Sequence, residues 1–108
     1  MTVQELANVG QFNILSCPEP NRQINGAYIG DLLSWVMGKA QSDNVWITIM
    51  SNVNVIAVAS LSDVACVLLA EDVTLPQELL ETAKDKGINV LSTKLAAYEA
   101  AVKISGMI

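Results

Sequence analysis

The sequence predicts an α/β fold: a compact layered domain in which helices flank a small mixed, largely parallel sheet. Three observations carry that prediction. Residues 45–50 are rich in β-branched and aromatic side chains, and residues 66–70 are a short, wholly apolar run. Around them lie stretches whose apolar residues recur at helical spacing. Residues 66–70, 74–86 and 88–91 read in succession as strand, helix and strand, a βαβ unit whose strands should be parallel with a right-handed connection. One domain is expected over residues 1–108, a length that buries roughly two thirds of the surface its unfolded chain would expose.

Taken in order, Thr2 and Glu5 stand at capping-box spacing ahead of Leu6 and Val9, which predicts a first helix over residues 2–9 with Gly10 as its left-handed stop. Residues 12–15 alternate loosely as a short strand and run into Pro18 and Pro20, which forbid regular hydrogen bonding. Leu32, Leu33, Val36, Met37 and Ala40 recur at helical spacing, with Asp31 in the first turn and Lys39 in the last, as the helix dipole prefers. A second helix is therefore predicted over 30–41. Val45, Ile47 and Ile49 alternate with Trp46, Thr48 and Met50 in a strand with both faces at least half covered. Residues 52–62 suit either a buried strand or a short buried helix, and periodicity does not choose between them. Residues 66–70 read as a central strand. The helix over 74–86 opens with Thr74 and Gln77 at capping-box spacing and stops at Gly87. Thr93 is expected to cap a last helix whose Leu95, Tyr98 and Val102 share a face, and residues 105–108 are expected to fray.

Composition narrows the function. An apolar fraction of 52% against 16% charged residues leaves more apolar side chain than one small core easily hides, so a self-association surface is expected, with a homodimer as its simplest form. The longest apolar run, residues 64–70, falls far short of the roughly 18 to 20 residues that span a bilayer. No membrane partner is expected, and the N-terminus carries no basic stretch leading into an apolar one, so the cytoplasm is the expected compartment. A net charge of −5 disfavours nucleic acid. Cys17 and Cys66 have no histidine or further thiol to complete a metal site and read as free structural thiols. Asp63, Glu71 and Asp72 lack the phosphate cradle that accompanies magnesium carboxylates and read as solvated loops. With no histidine to activate any serine, catalysis is not expected, and neither is a metal or cofactor. Trp35 and Trp46 suit packing better than stacking on a base.

The segment 21–28, Asn-Arg-Gln-Ile-Asn-Gly-Ala-Tyr, holds the sole arginine of the chain beside a glycine, two asparagines and a tyrosine. This stretch resembles the motif that names the DRTGG domain family, and residues 26–34, 45–49, 54–61 and 87–93 look like its stand-alone members. The family is similar in fold to the N-terminal domain of HPr kinase/phosphorylase and occurs within CBS-containing pyrophosphatases and beside phosphate acetyltransferase domains. The resemblance implies a helix over 54–61 and a regulatory or assembly role. Two departures weigh against local chemistry. Asn21 replaces the family's usual aspartate, and Ser51-Asn52-Val53 stands where relatives often place histidine and proline, which removes a group titrating near neutral pH.

Asn21, Arg22, Asn25, Gly26, Tyr28, Asp31 and Asn54 are accordingly the candidates for a ligand site or a subunit interface. Arg22 fits three roles: a bidentate clamp on a phosphate or carboxylate, a pairing across an interface, or an internal bridge to Asp31 or another carboxylate. Gly26 suits a positive φ or a close backbone approach, and Tyr28 offers a flat face with a polar tip. Two readings follow: a regulatory domain that senses a small anion such as an adenine nucleotide and answers by changing its association, or a dimeric accessory protein docking onto a larger enzyme, a redox complex among the choices.

Overall fold

A computed structural model describes residues 1–108. The chain runs α1 (Val3–Gly10), β1 (Asn13–Ser16), β2 (Ala27–Ile29), α2 (Leu33–Lys39), β3 (Val45–Thr48), α3 (Asn54–Ser62), β4 (Cys66–Leu69), α4 (Gln77–Asp85), β5 (Val90–Ser92) and α5 (Ala97–Ser105). The strands form one sheet in the order β1-β5-β4-β3-β2. β2, β3, β4 and β5 are parallel neighbours, and only β1 runs against its partner β5. This is the mixed, largely parallel sheet that the alternation of strands and helices implies, with β4 at its centre.

Alternating side chains send each strand's residues to opposite faces, and each face builds its own core. Val45, Ile47, Cys66, Leu68 and Leu91 pack with Val3 and Leu6 of α1 and Ala100 and Ile104 of α5. Trp46, Val67, Leu69 and Val90 pack on the other side with Val36 of α2, Ile56 and Ala59 of α3 and Ala83 of α4. β3 and β4 are buried at every position, as strands covered on both faces must be. Within residues 52–62 the chain forms a helix, α3, whose Val55, Ile56, Val58 and Ala59 are buried in the core it shares with the sheet, α2 and α4, while Leu61 stays exposed. No helix is long and apolar enough to cross a membrane.

Helix ends depart from prediction in instructive ways. The Thr2–Glu5 capping box forms as read, with Glu5 N–H bonded to Thr2 Oγ1 at 3.1 Å and Thr2 N–H to Glu5 Oε1 at 3.0 Å. The left-handed stop, however, is Gln11 at φ 57°, not Gly10, which is the last helical residue. Gly10 is needed for a different reason: a Cβ there would lie 2.5 Å from the Phe12 ring. Asp31 precedes α2, which starts at Leu33, because its carboxylate is held by donors at the end of β3. Thr74 caps nothing; Pro76, whose fixed φ suits a helix entry, stands at the N-cap of α4. Gly87 does take a positive φ of 75° after α4. Thr93 accepts the Leu95 N–H instead of capping α5, whose N-cap is Ala96. The buried face of α5 is Ala100 and Ile104, whereas Tyr98 is 77% exposed and Val102 also faces out. Ser105 is still helical, and Met107 packs against the core instead of fraying. β2, between the arginine segment and α2, had no counterpart in the sequence reading.

Candidate ligand and interface site

The seven candidate residues do not converge on one pocket. Asn21, Arg22, Asn25 and Gly26 lie at the N-terminal ends of the parallel strands, where Asp43, Asn44 and Asp63 also sit. Asp31 and Asn54 lie beyond the opposite ends, after β2 and β3 respectively, and Tyr28 is the middle residue of β2. The strands between those two rims rise about 3.3 Å per residue, which keeps the two groups apart.

At the N-terminal rim, Arg22 is an internal clamp. Its Nε and Nη2 donate to Asp43 Oδ1 at 3.2 and 3.0 Å, and Nη2 also donates to Asp63 Oδ1 at 2.8 Å and to the Asp63 carbonyl at 2.6 Å. The sequence reading named Asp31 as the first internal partner; the partners are instead the two aspartates that precede β3 and β4. Both take left-handed backbone angles, φ 69° at Asp43 and 56° at Asp63, a conformation that Asp tolerates better than most residues. Ser42 Oγ donates to Asp63 Oδ2 at 2.7 Å. That bond first, and the Arg22 guanidinium second, hold the Asp63 carboxyl below its ordinary range. Burial works against the Arg22 charge, but the bonds from Asp63 and Asp43 outweigh it and raise the guanidinium's pKa further. Arg22 therefore ties the segment before β2 to the α2–β3 and α3–β4 connections, and its Nη1 alone makes no hydrogen bond.

Backbone bonds extend this seam along the rim. Asn25 N–H donates to the Asp43 carbonyl and Asp43 N–H to the Asp63 carbonyl, each at 2.9 Å. Asn44 Nδ2 donates to the Asn25 carbonyl at 2.6 Å, and Gly26, at φ 77°, lies so close that a Cβ would stand 3.1 Å from that nitrogen. Asn44 and Asn89, both buried, were not singled out from the sequence. An asparagine just ahead of each strand was the available signal.

At the other rim Asp31 Oδ1 accepts from Thr48 Oγ1 at 2.7 Å and from Ile49 N–H at 3.0 Å. Asn54 opens α3, its N–H bonded to Asn52 Oδ1 at 2.9 Å. No three metal-binding side chains of the His, Cys, Asp and Glu types lie together. Cys66 is wholly buried, and burial pushes its thiol up to about 12, while Cys17 is half-buried and shifted up for the same reason. Trp46 is buried with its Nε1 donating to the Gly30 carbonyl at 2.9 Å; Trp35 is exposed beneath the Lys39 ammonium.

One groove does border the arginine segment. It measures about 480 Å³ and runs between β2 and the end of α5, with Asn25, Gly26, Ala27 and Ile29 on one wall and Ala101, Ile104, Ser105 and Ile108 on the other. No charged side chain lines it. The Asn25 carboxamide makes no hydrogen bond within the chain, and the Ser105 hydroxyl, which donates to the Val102 carbonyl, keeps its acceptor lone pairs; these are the polar side-chain groups open to an occupant. Such a groove takes a flat or apolar group edged by a single amide.

The model of the DRTGG domain matches residues 5–107. This chain belongs to the DRTGG domain family. No curated protein matches it. A solved structure of the CBS and DRTGG domains of the regulatory region of Clostridium perfringens pyrophosphatase, complexed with its activator diadenosine tetraphosphate, superposes with a TM-score of 0.72 at 15% identity. The match covers 95% of this chain and 45% of that one, so this DRTGG domain spans less than half of the regulatory region it resembles. At that identity the likeness establishes the fold.

Proposed function

We propose that this DRTGG domain is a non-catalytic regulatory module of the cytoplasm that senses a small ligand in the β2–α5 groove and answers by changing its association. The observation that carries the reading is the groove itself: a cavity of ligand size bordered by Asn25 and Gly26, with the Asn25 carboxamide unengaged. An adenine nucleotide is the ligand we favour. Its base suits walls without charged side chains, edged by the Asn25 carboxamide. The solved relative belongs to a region complexed with an adenine dinucleotide, which is consistent with that choice. Titrating the protein with AMP, ATP and diadenosine tetraphosphate to millimolar concentration tests it by amide chemical shifts. Saturable shifts at Asn25, Gly26, Ala101 and Ser105 are expected; no shift at any of them ends the nucleotide reading.

A second reading has its own support. Leu32, Trp35 and Met37 stand more than half exposed on or beside α2, which suits an accessory dimer that docks on a larger enzyme.

A further inference from the structure

The two edges of the sheet are built differently. At β1 the register slips between Ile14 and Ser16, and Pro18 and Pro20 follow, devices that stop an edge from recruiting another strand. β2 has none of them. From Gln23 to Gly30 there is no charge and no proline, and the pairing of Ala27, Tyr28 and Ile29 with β3 is regular. The Gly26 carbonyl accepts from Val45 at 3.0 Å and the Gly30 N–H donates to Ile47 at 3.2 Å, so both flanking residues face β3. By the alternation of a strand, the N–H and C=O groups of Ala27 and Ile29 point outward, unpaired.

We propose that β2 pairs antiparallel with β2 of a second copy of this chain about a two-fold axis at Tyr28, giving one sheet continuous through the dimer. That register places Ala27 of each copy opposite Ile29 of the other as a hydrogen-bonded pair, with the two Tyr28 residues directly opposite as the close, non-hydrogen-bonded pair. A second copy is the fitting occupant because a two-fold axis needs a self-complementary patch, and outward donors and acceptors spaced evenly about Tyr28 supply it. Charge points the same way: the chain carries −5 overall, and the β2 edge is a neutral stretch on which two copies approach without like charges meeting. Ile29 on this edge and Ile108 across the groove from it remain 49% and 40% exposed. The inference rests on the association half of the proposed function and is independent of the nucleotide. Ile29 belongs to both the edge and the groove, which couples occupancy to pairing.

Sedimentation equilibrium on the wild type, on Ile29→Lys and on Tyr98→Lys tests the pairing, together with hydrogen exchange at several protein concentrations. The expected result is a dimer weakened ~100-fold or more by a lysine at Ile29, where it meets its symmetry mate's edge, and unchanged by Tyr98→Lys on the outer face of α5. The Ala27 and Ile29 amides should gain protection as the wild-type dimer forms, a readout that needs no variant to fold. A dimer that survives Ile29→Lys, or whose Ala27 and Ile29 amides exchange as fast as in the monomer, overturns the β2 pairing while leaving association intact. A wild type that stays monomeric at hundreds of micromolar overturns both.

Discussion

Asn89 grips Glu19 by both sides of its backbone: Oδ1 accepts the Glu19 N–H at 2.9 Å while Nδ2 donates to the Glu19 carbonyl at 2.8 Å. The same Nδ2 donates to the Ala65 carbonyl at 3.0 Å, and the Asn89 side chain is buried. One carboxamide thus joins the proline-bracketed segment after β1 to the entries of β4 and β5. Asn89→Ala leaves backbone groups without partners in a dry site, and should cost about 2–3 kcal/mol in urea unfolding with an unchanged m-value. Asn89→Asp keeps the shape but loses the donor, so it should be no milder; a variant within 0.5 kcal/mol of wild type, roughly the noise of a neutral surface change, would refute this account.

The clamp of Arg22 on Asp63 sets an acid limb of stability. Asp63 is depressed by the Ser42 hydroxyl and then by Arg22, from an ordinary value of 3.8. Because the folded value lies below the unfolded one, the contribution is fully present above about pH 4 and fades as pH falls through the folded value. Asp63 is largely exposed, so solvent screening holds the effect to under about 1 kcal/mol. Ser42→Ala should lower stability at neutral pH by under about 1 kcal/mol, with the difference from wild type shrinking as the pH falls below about 4 and Asp63 becomes protonated. Arg22→Ala, which also frees Asp43 and the Asp63 carbonyl, should cost about 1–2 kcal/mol at pH 7. Urea titrations across that pH range measure both.

Gly10→Ala pits propensity against packing. An alanine in a helix gains about 1 kcal/mol over glycine. Here its methyl group meets the Phe12 ring, which is buried and carries the Lys103 ammonium on its face. Displacing a buried ring costs about 1–3 kcal/mol, so the net change should be destabilising. A rise in Tm would show that Phe12 moves aside freely.

Thiol chemistry should separate the cysteines. Cys66 has no exposed surface and a thiol pushed up to about 12, so under native conditions a maleimide should label Cys17 slowly and Cys66 not at all. Mass spectrometry after labelling with and without urea checks this; native labelling of Cys66 would reveal opening of the central strand.

Much of the fold was legible because local and tertiary signals agree there. The Thr2–Glu5 box, the covered strands β3 and β4 and the Gly87 stop form as read. β2 escaped because three residues between glycines, partly exposed, show neither alternation nor an apolar run. Tyr98 and Val102 do share a face of α5, but it points outward, and the small side chains of Ala100 and Ala101 are the ones that let the helix approach the sheet. At the candidate site the lone arginine announced itself, but its partners lie 21 and 41 residues away, and only the crossovers of a parallel sheet bring them together.

The pairing of β1 has a kinetic consequence. Asn13 lies beside Ser92 and Ile14 beside Leu91, and β1 has no other strand to join. On the ribosome, therefore, β1 waits unpaired until β5, the last strand of the sheet, has emerged, and Val3 and Leu6 wait for Ala100 and Ile104 of α5 as well. Closure over so long a separation slows folding relative to a helical protein of the same size. The half-formed sheet meanwhile exposes the β4 edge, which β5 will cover, to chaperones and to other nascent chains.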